Sequence, residues 1–69
     1  MRTGTTFTAR DGSTWSVERV TTVDLLNFTD GIASLRREYP APFRVEPTGN
    51  MPKDRKGFTH IEIAVALPR

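Results

Sequence analysis

No cysteine occurs in these 69 residues, so disulfides and thiolate metal sites are excluded. The single histidine rules out a centre built from several imidazoles. Long hydrophobic runs are missing too. The longest unbroken apolar stretch, Ile63 to Leu67, falls far short of the roughly 20 residues a spanning helix needs. Nothing at the start resembles a basic-then-apolar leader. These absences predict a soluble cytoplasmic protein with no membrane association.

Catalytic signatures are equally scarce. There is no Gly-x-Ser-x-Gly turn, and Thr48-Gly49-Asn50 lacks the lysine and following helix of a phosphate-binding loop. Ser13, Ser16 and the threonines supply hydroxyl groups, but the only histidine, His60, lies far along the chain from most of them. A nucleophile needs a base that a third group orients, and no such set is visible. The carboxylates are scattered singly. The expectation is a protein that is not an enzyme and takes no cofactor. His60 and Glu62 share one face of a strand, but two ligands are too few for zinc, so no metal site is assigned.

Charge is nearly balanced, at a net +2, and unevenly spread. Residues 1–30 carry three arginines against four acids, whereas residues 31–69 carry seven bases against four acids. Arginine outnumbers lysine eight to two. That suits forked contacts to phosphate or carboxylate, although GC-rich coding produces the same bias.

What is present is architecture. Phe7 and Ala9 alternate with threonines, Asp11-Gly12 marks a turn, and Trp15 and Val17 alternate beyond it. A two-residue loop would pair Phe7 with Ser16. A three-residue loop, Arg10-Asp11-Gly12, pairs Phe7 with Trp15 and Thr5 with Val17, and puts Gly12 where a type I turn with a bulge needs a left-handed residue. The second register, over residues 4–10 and 13–20, collects the apolar side chains on one face.

Residues 22–39 read two ways. As a helix capped by Thr22, they carry Leu25, Phe28, Ile32, Leu35 and Tyr39 in an apolar stripe. Asp24 and Asp30 lie early and Arg36 and Arg37 late, as the helix dipole favours, and Pro40 gives a stop. As a second hairpin turning at Asp30-Gly31, the same residues also pair consistently. A shorter helix capped by Thr29, with Val23 to Phe28 extended, lies between the two. Gly31 is the discriminator: Gly31→Ala should stabilise a helix by up to about 1 kcal/mol and destabilise a tight turn.

Pro40 and Pro42 lead into a short strand, Phe43 to Glu46, closed by Pro47. Residues 47–57, with their glycines, prolines and charges, read as an aperiodic surface loop. The last segment alternates clearly, with Ile61, Ile63, Val65 and Leu67 on one face and His60, Glu62, Ala64 and Ala66 on the other.

The chain is therefore expected to be one small α+β domain over residues 1–69 in the order β-β-α-β-β, with one helix on an antiparallel sheet. Phe7, Trp15, Val17, Phe43, Val45, Ile61, Ile63 and Val65 should meet Leu25, Phe28, Ile32 and Leu35. The alternative is an all-β meander closing into a small five-stranded barrel. Function should be binding without chemistry. The first expectation is an accessory or inhibitory protein that docks on a larger intracellular machine, with self-association through a sheet edge a further option. The second is nucleic-acid binding by Arg36, Arg37, Arg44 and the basic 47–57 loop, which carries Lys53, Arg55 and Lys56.

Overall fold

Four strands and one helix make up the computed structural model, which describes residues 2–69: β1 (Thr6–Thr8), β2 (Thr14–Asp24), α1 (Phe28–Glu38), β3 (Arg44–Pro47) and β4 (His60–Pro68). All the pairings are antiparallel, in the order β1-β2-β4-β3. This is the small α+β domain in β-β-α-β-β order, not the barrel.

The first hairpin has the three-residue loop. Phe7 pairs with Trp15, the Ala9 N–H donates to the Ser13 carbonyl at 2.8 Å, and Gly12 sits at φ 87°. The Val17 N–H reaches the Thr5 carbonyl, which extends the same register. Asp11 holds the turn by accepting from the Ser13 N–H and hydroxyl, and that hydroxyl in turn accepts from Trp15 Nε1 at 2.7 Å.

One extra residue then reverses the faces. Val17 pairs with Ala66 but Arg19 pairs with Val65, so Glu18 is left without an opposite number, as in a β-bulge. Paired residues share a face of the pleat. Val17, Trp15 and Phe7 therefore lie with Ala66 and Arg44, whereas Arg19, Thr21 and Val23 lie with Val65, Ile63 and Val45. The helix covers only the second set: its core is Val23, Leu35, Ile63 and Val65, flanked by Ile32, Tyr39, Phe43, Val45 and Ile61. The expected single core is thus divided. Phe7, Trp15 and Val17 occupy the face away from the helix, where Arg44 stacks over the Trp15 ring at 5.3 Å. On that face Ala66 and Ala64 are fully buried between larger cross-strand neighbours, so they are not part of a solvated outer face.

The helix is shorter than the stripe suggested. Val20, Thr21, Thr22 and Val23 are four β-branched residues in succession, and they stay in the ladder with β4 through Asp24. Thr22 is a strand residue and no cap. Leu25 precedes the helix, hydrogen-bonded to the Thr59 carbonyl and 44% exposed. The turn forms when the Asp24 carboxylate accepts from the Leu26 N–H, and α1 begins at Phe28 without a side-chain cap. Its far end is held to β2 by Arg19, which meets Glu38 at 2.6 Å and lies over the Tyr39 ring.

The 47–57 segment is also not the free loop its composition implied. Backbone bonds from Thr48, His60 and Glu62 tie residues 48–52 to β4, and Lys53 bridges to Thr59. The tip repeats the first hairpin's turn. Asp54 N–H donates to the Phe58 carbonyl, Gly57 N–H donates to the Asp54 carbonyl, and Gly57 sits at φ 84°. Arg55-Lys56-Gly57 is thus a second three-residue loop.

Gly31 is helical, yet alanine there is not the gain expected of a helix interior. A Cβ on Gly31 would lie 2.9 Å from Val23 Cγ1 and 3.0 Å from Val23 Cβ, on a stiff β-branched side chain. Overpacking then outweighs propensity. Gly31→Ala should destabilise the domain by about 1–3 kcal/mol. In a Val23→Ala background the same change should cost less, which a double-mutant cycle by chemical denaturation measures.

Candidate functional site: an apolar groove beside the helix

Because Gly31 lets α1 settle onto Val23, the helix backbone comes within 8 Å of β2 alone among the strands. The β3 and β4 side of the same sheet face stays open. The chain leaves α1 at Tyr39 and swings through Pro40-Ala41-Pro42 to reach β3 on the far edge of the sheet. The strap so formed closes one end of a groove of about 750 Å³.

Val45, Ile61 and Ile63 form its floor, Phe28, Ile32 and Arg36 one wall, and Tyr39 with the Pro40 to Phe43 strap another. The Tyr39 and Phe43 rings lie 6.0 Å apart at 48°, a tilted pairing that stiffens the corner. Arg36 is the only charged residue in the lining. Among the described residues neither Arg36 nor Arg37 is in an ion pair. Such a surface suits an apolar group with a nearby carboxylate. It offers no nucleophile set beside a base.

The basic residues singled out from the sequence do not form one surface. Arg36 borders the groove and Arg37 projects from the last turn of α1. Arg44 lies on the opposite face of the sheet, over Trp15 and 3.6 Å from Glu46. Lys53, Arg55 and Lys56 crowd at the hairpin tip, opposite the start of β4, whereas Arg44 pairs with Ala66 near its end. Seven residues of strand separate those two levels, roughly 23 Å. His60 and Glu62 keep separate company as well. His60 Nε2 lies 3.3 Å from Asp54 Oδ2, and Glu62 Oε1 accepts from Thr48 Oγ1 at 2.7 Å and Asn50 Nδ2 at 3.1 Å.

The groove itself was not foreseen. In the sequence its walls read as core or as a connection. The one sequence signal was the pair of prolines between Tyr39 and Phe43, which hold the strap away from the sheet. Comparison with family models, curated proteins and solved structures finds no match for this chain.

Three carboxyls sit below their ordinary range for structural reasons. Hydrogen bonds from Ser13 lower Asp11, and those from Thr48 and Asn50 lower Glu62. Asp54 is lowered first by the Phe58 N–H, against a rise from burial, with His60 and the Lys56 N–H lowering it further. A depressed folded value means that stability is complete above the unfolded value, about 3.9 for an aspartate and about 4.3 for a glutamate, and is lost as pH falls through the folded one. The amide resonances of Lys56 and Phe58 should therefore titrate together, with a midpoint below 3.8. Asp54→Asn should abolish that titration.

Proposed function

We propose that the protein is a non-enzymatic interaction module that docks a segment of another protein chain in the groove beside α1. The observation that carries this reading is the groove itself: an apolar trough bearing one free arginine, left open on the helix-covered face. Phe28 at its rim is 38% exposed, and none of the six aromatic side chains in the chain is fully buried. Aromatic and arginine side chains held half in solvent are the groups that supply hot spots in protein interfaces. An accessory or inhibitory role on a larger assembly fits a domain that presents such a surface.

The tagged protein should carry its partner through purification from the native host after nuclease treatment. Phe28→Asp, checked for folding by circular dichroism, should lose that partner. Retention of the partner by a folded Phe28→Asp variant would remove the groove from the interface.

A second reading has its own observation. The hairpin tip sets Lys53, Arg55 and Lys56 beside Phe58, which is 44% exposed, and a two-stranded ribbon with such a tip fits a nucleic-acid groove. Replacing the three bases by serine should change stability by less than about 0.5 kcal/mol, as at other surface sites. If the tip binds nucleic acid, the triple variant should weaken oligonucleotide binding at every sequence and flatten the salt dependence by up to roughly three units. Titration of short single- and double-stranded oligonucleotides at low salt reads this directly.

A further inference from the structure

The helix-covered face of this sheet has room for a second helix. α1 runs back along β2, with Gly31 over Val23 at one end and Glu38 on Arg19 at the other. Those contacts are about 10 Å apart along the helix and about 13 Å apart along the strand, so the two run nearly side by side. In the order β1-β2-β4-β3, β4 and β3 stand roughly 5 and 10 Å to one side of β2. Neighbouring helices pack about 8–10 Å apart. A neighbour of α1 would therefore lie over β4 and β3, on the floor made by Val45, Ile61 and Ile63.

That floor continues past the groove's open end. Asn50 and Pro52 accept backbone bonds from Glu62 and His60, which sets the exposed Met51 opposite Ile61. From Val65, opposite Val45, to Thr59, opposite Lys53, the strand covers roughly 20 Å, the length of about 13 helical residues. An added strand is less well served. Thr48 N–H bonds to Glu62 in the register that pairs Glu46 with Ala64 and Arg44 with Ala66, so only Val45 and Pro47 turn their backbone outward from β3. Pro47 has no N–H, which leaves Val45 as the single outward donor of that strand.

Charge is divided between the two flanks of α1. Asp24, Asp30 and Glu38 border the cleft between α1 and β2. None of the chain's eight carboxylates lines the groove, where Arg36 stands without an ion-pair partner among the described residues. At the open end, Lys53 pairs with Thr59, two residues before Ile61, and so shares the groove's face of the pleat. The adjacent Asp54 is already engaged by the Lys56 and Phe58 N–H groups and by His60. The apolar trough thus has one base on its helix wall and another at its mouth, with no acid lining it.

We infer that the groove's occupant is an acidic amphipathic helix of a partner protein, about three turns long, laid beside α1 over β4 and β3. Its apolar face rests on Phe28, Ile32, Val45 and Ile61, and its carboxylates meet Arg36 and Lys53. The inference rests on the reading of the groove as a docking surface and names the chemistry of what docks there. Such a helix completes the layer that α1 begins on this sheet.

The probe is a displayed library of random 16-residue peptides selected on the full chain, with the enriched sequences then synthesised and titrated by fluorescence anisotropy. They should carry apolar residues at i, i+3 or i+4 and i+7, with Asp or Glu beside them, and gain helical circular dichroism on binding. Arg36→Glu should weaken them by about tenfold or more, and Phe28→Asp by roughly 30-fold. Replacing their acids by lysine should abolish binding to the native chain and restore it on the Arg36→Glu, Lys53→Glu double variant. Asp30→Asn, on the other flank of α1, should change binding by less than about twofold, because the recognition is local. Circular dichroism confirms the fold of each variant.

Peptides that Phe28→Asp rejects, but that are basic or alternate with period two, overturn the acidic helix and leave the groove reading standing. Acidic helical peptides indifferent to Phe28→Asp overturn both. A library that yields no enriched sequence overturns the inference, and the groove reading is then judged by whether Phe28→Asp loses the captured partner.

Discussion

The pairing of β2 with β4, with the unpaired Glu18 in its middle, decides the rest of this structure. Before the bulge β2 presents Trp15 and Val17 to one side of the sheet, and after it Arg19, Thr21 and Val23 to the other. Were Glu18 paired in a regular ladder, the pleat would set Val17 and Val23 on the same face, and α1 would meet a broader apolar floor. With it, the domain has two thin apolar layers. One is covered by the helix, and the other is covered only by side chains of the sheet itself, with Arg44 laid over Trp15. A short chain that divides its apolar residues in this way buries few of them completely, and its aromatic residues stay near water.

The helix position follows from the bulge. Arg19 points toward α1 because of it, and so can hold Glu38 and stack on Tyr39 at one end of the helix. At the other end, Gly31 gives way to Val23. Both contacts draw α1 over β2 and away from β3. The groove is the space that remains, and the Pro40 to Pro42 strap keeps it from closing by holding the chain extended on its way to the sheet edge. The cost of the missing helix contact falls on Phe28, Ile32, Tyr39 and Phe43, which are half covered. That is why a covering chain is a physical expectation for this face.

The two tight hairpin tips rest on a shared device. In each, a glycine at positive φ closes a three-residue loop, and an aspartate carboxylate accepts the following backbone N–H groups. In the first tip the carboxylate precedes that glycine directly, and in the second it stands three residues before it. Both carboxyls are held ionised by the turns they organise. The basic tip therefore presents Lys53, Arg55 and Lys56 on a hydrogen-bonded three-residue turn, where composition alone read as an aperiodic loop.

The α+β order, the first hairpin's register, the final strand and the helix from its middle onward were legible in the residues, because each depends on near neighbours: alternation, a Gly turn, a proline stop. The start of the helix was not, since a stripe of spacing 3 and 4 took in Leu25 while the β-branched run from Val20 to Val23 belonged to a strand that only pairing with β4 could extend. The second hairpin tip is not legible because its flanks, Pro52 to Asp54 and Phe58 to Thr59, carry no alternation, and its backbone ladder with β4 needs no apolar pattern. Which face each apolar residue occupies was decided by the bulge at Glu18. A bulge is a mismatch between two strands far apart in the chain, so neither strand records it alone. For the same reason Gly31 read as a helix penalty when it is a contact with Val23, and the groove read as core. Local sequence determined the elements of this protein. The long-range register determined what those elements cover, and so what they leave open.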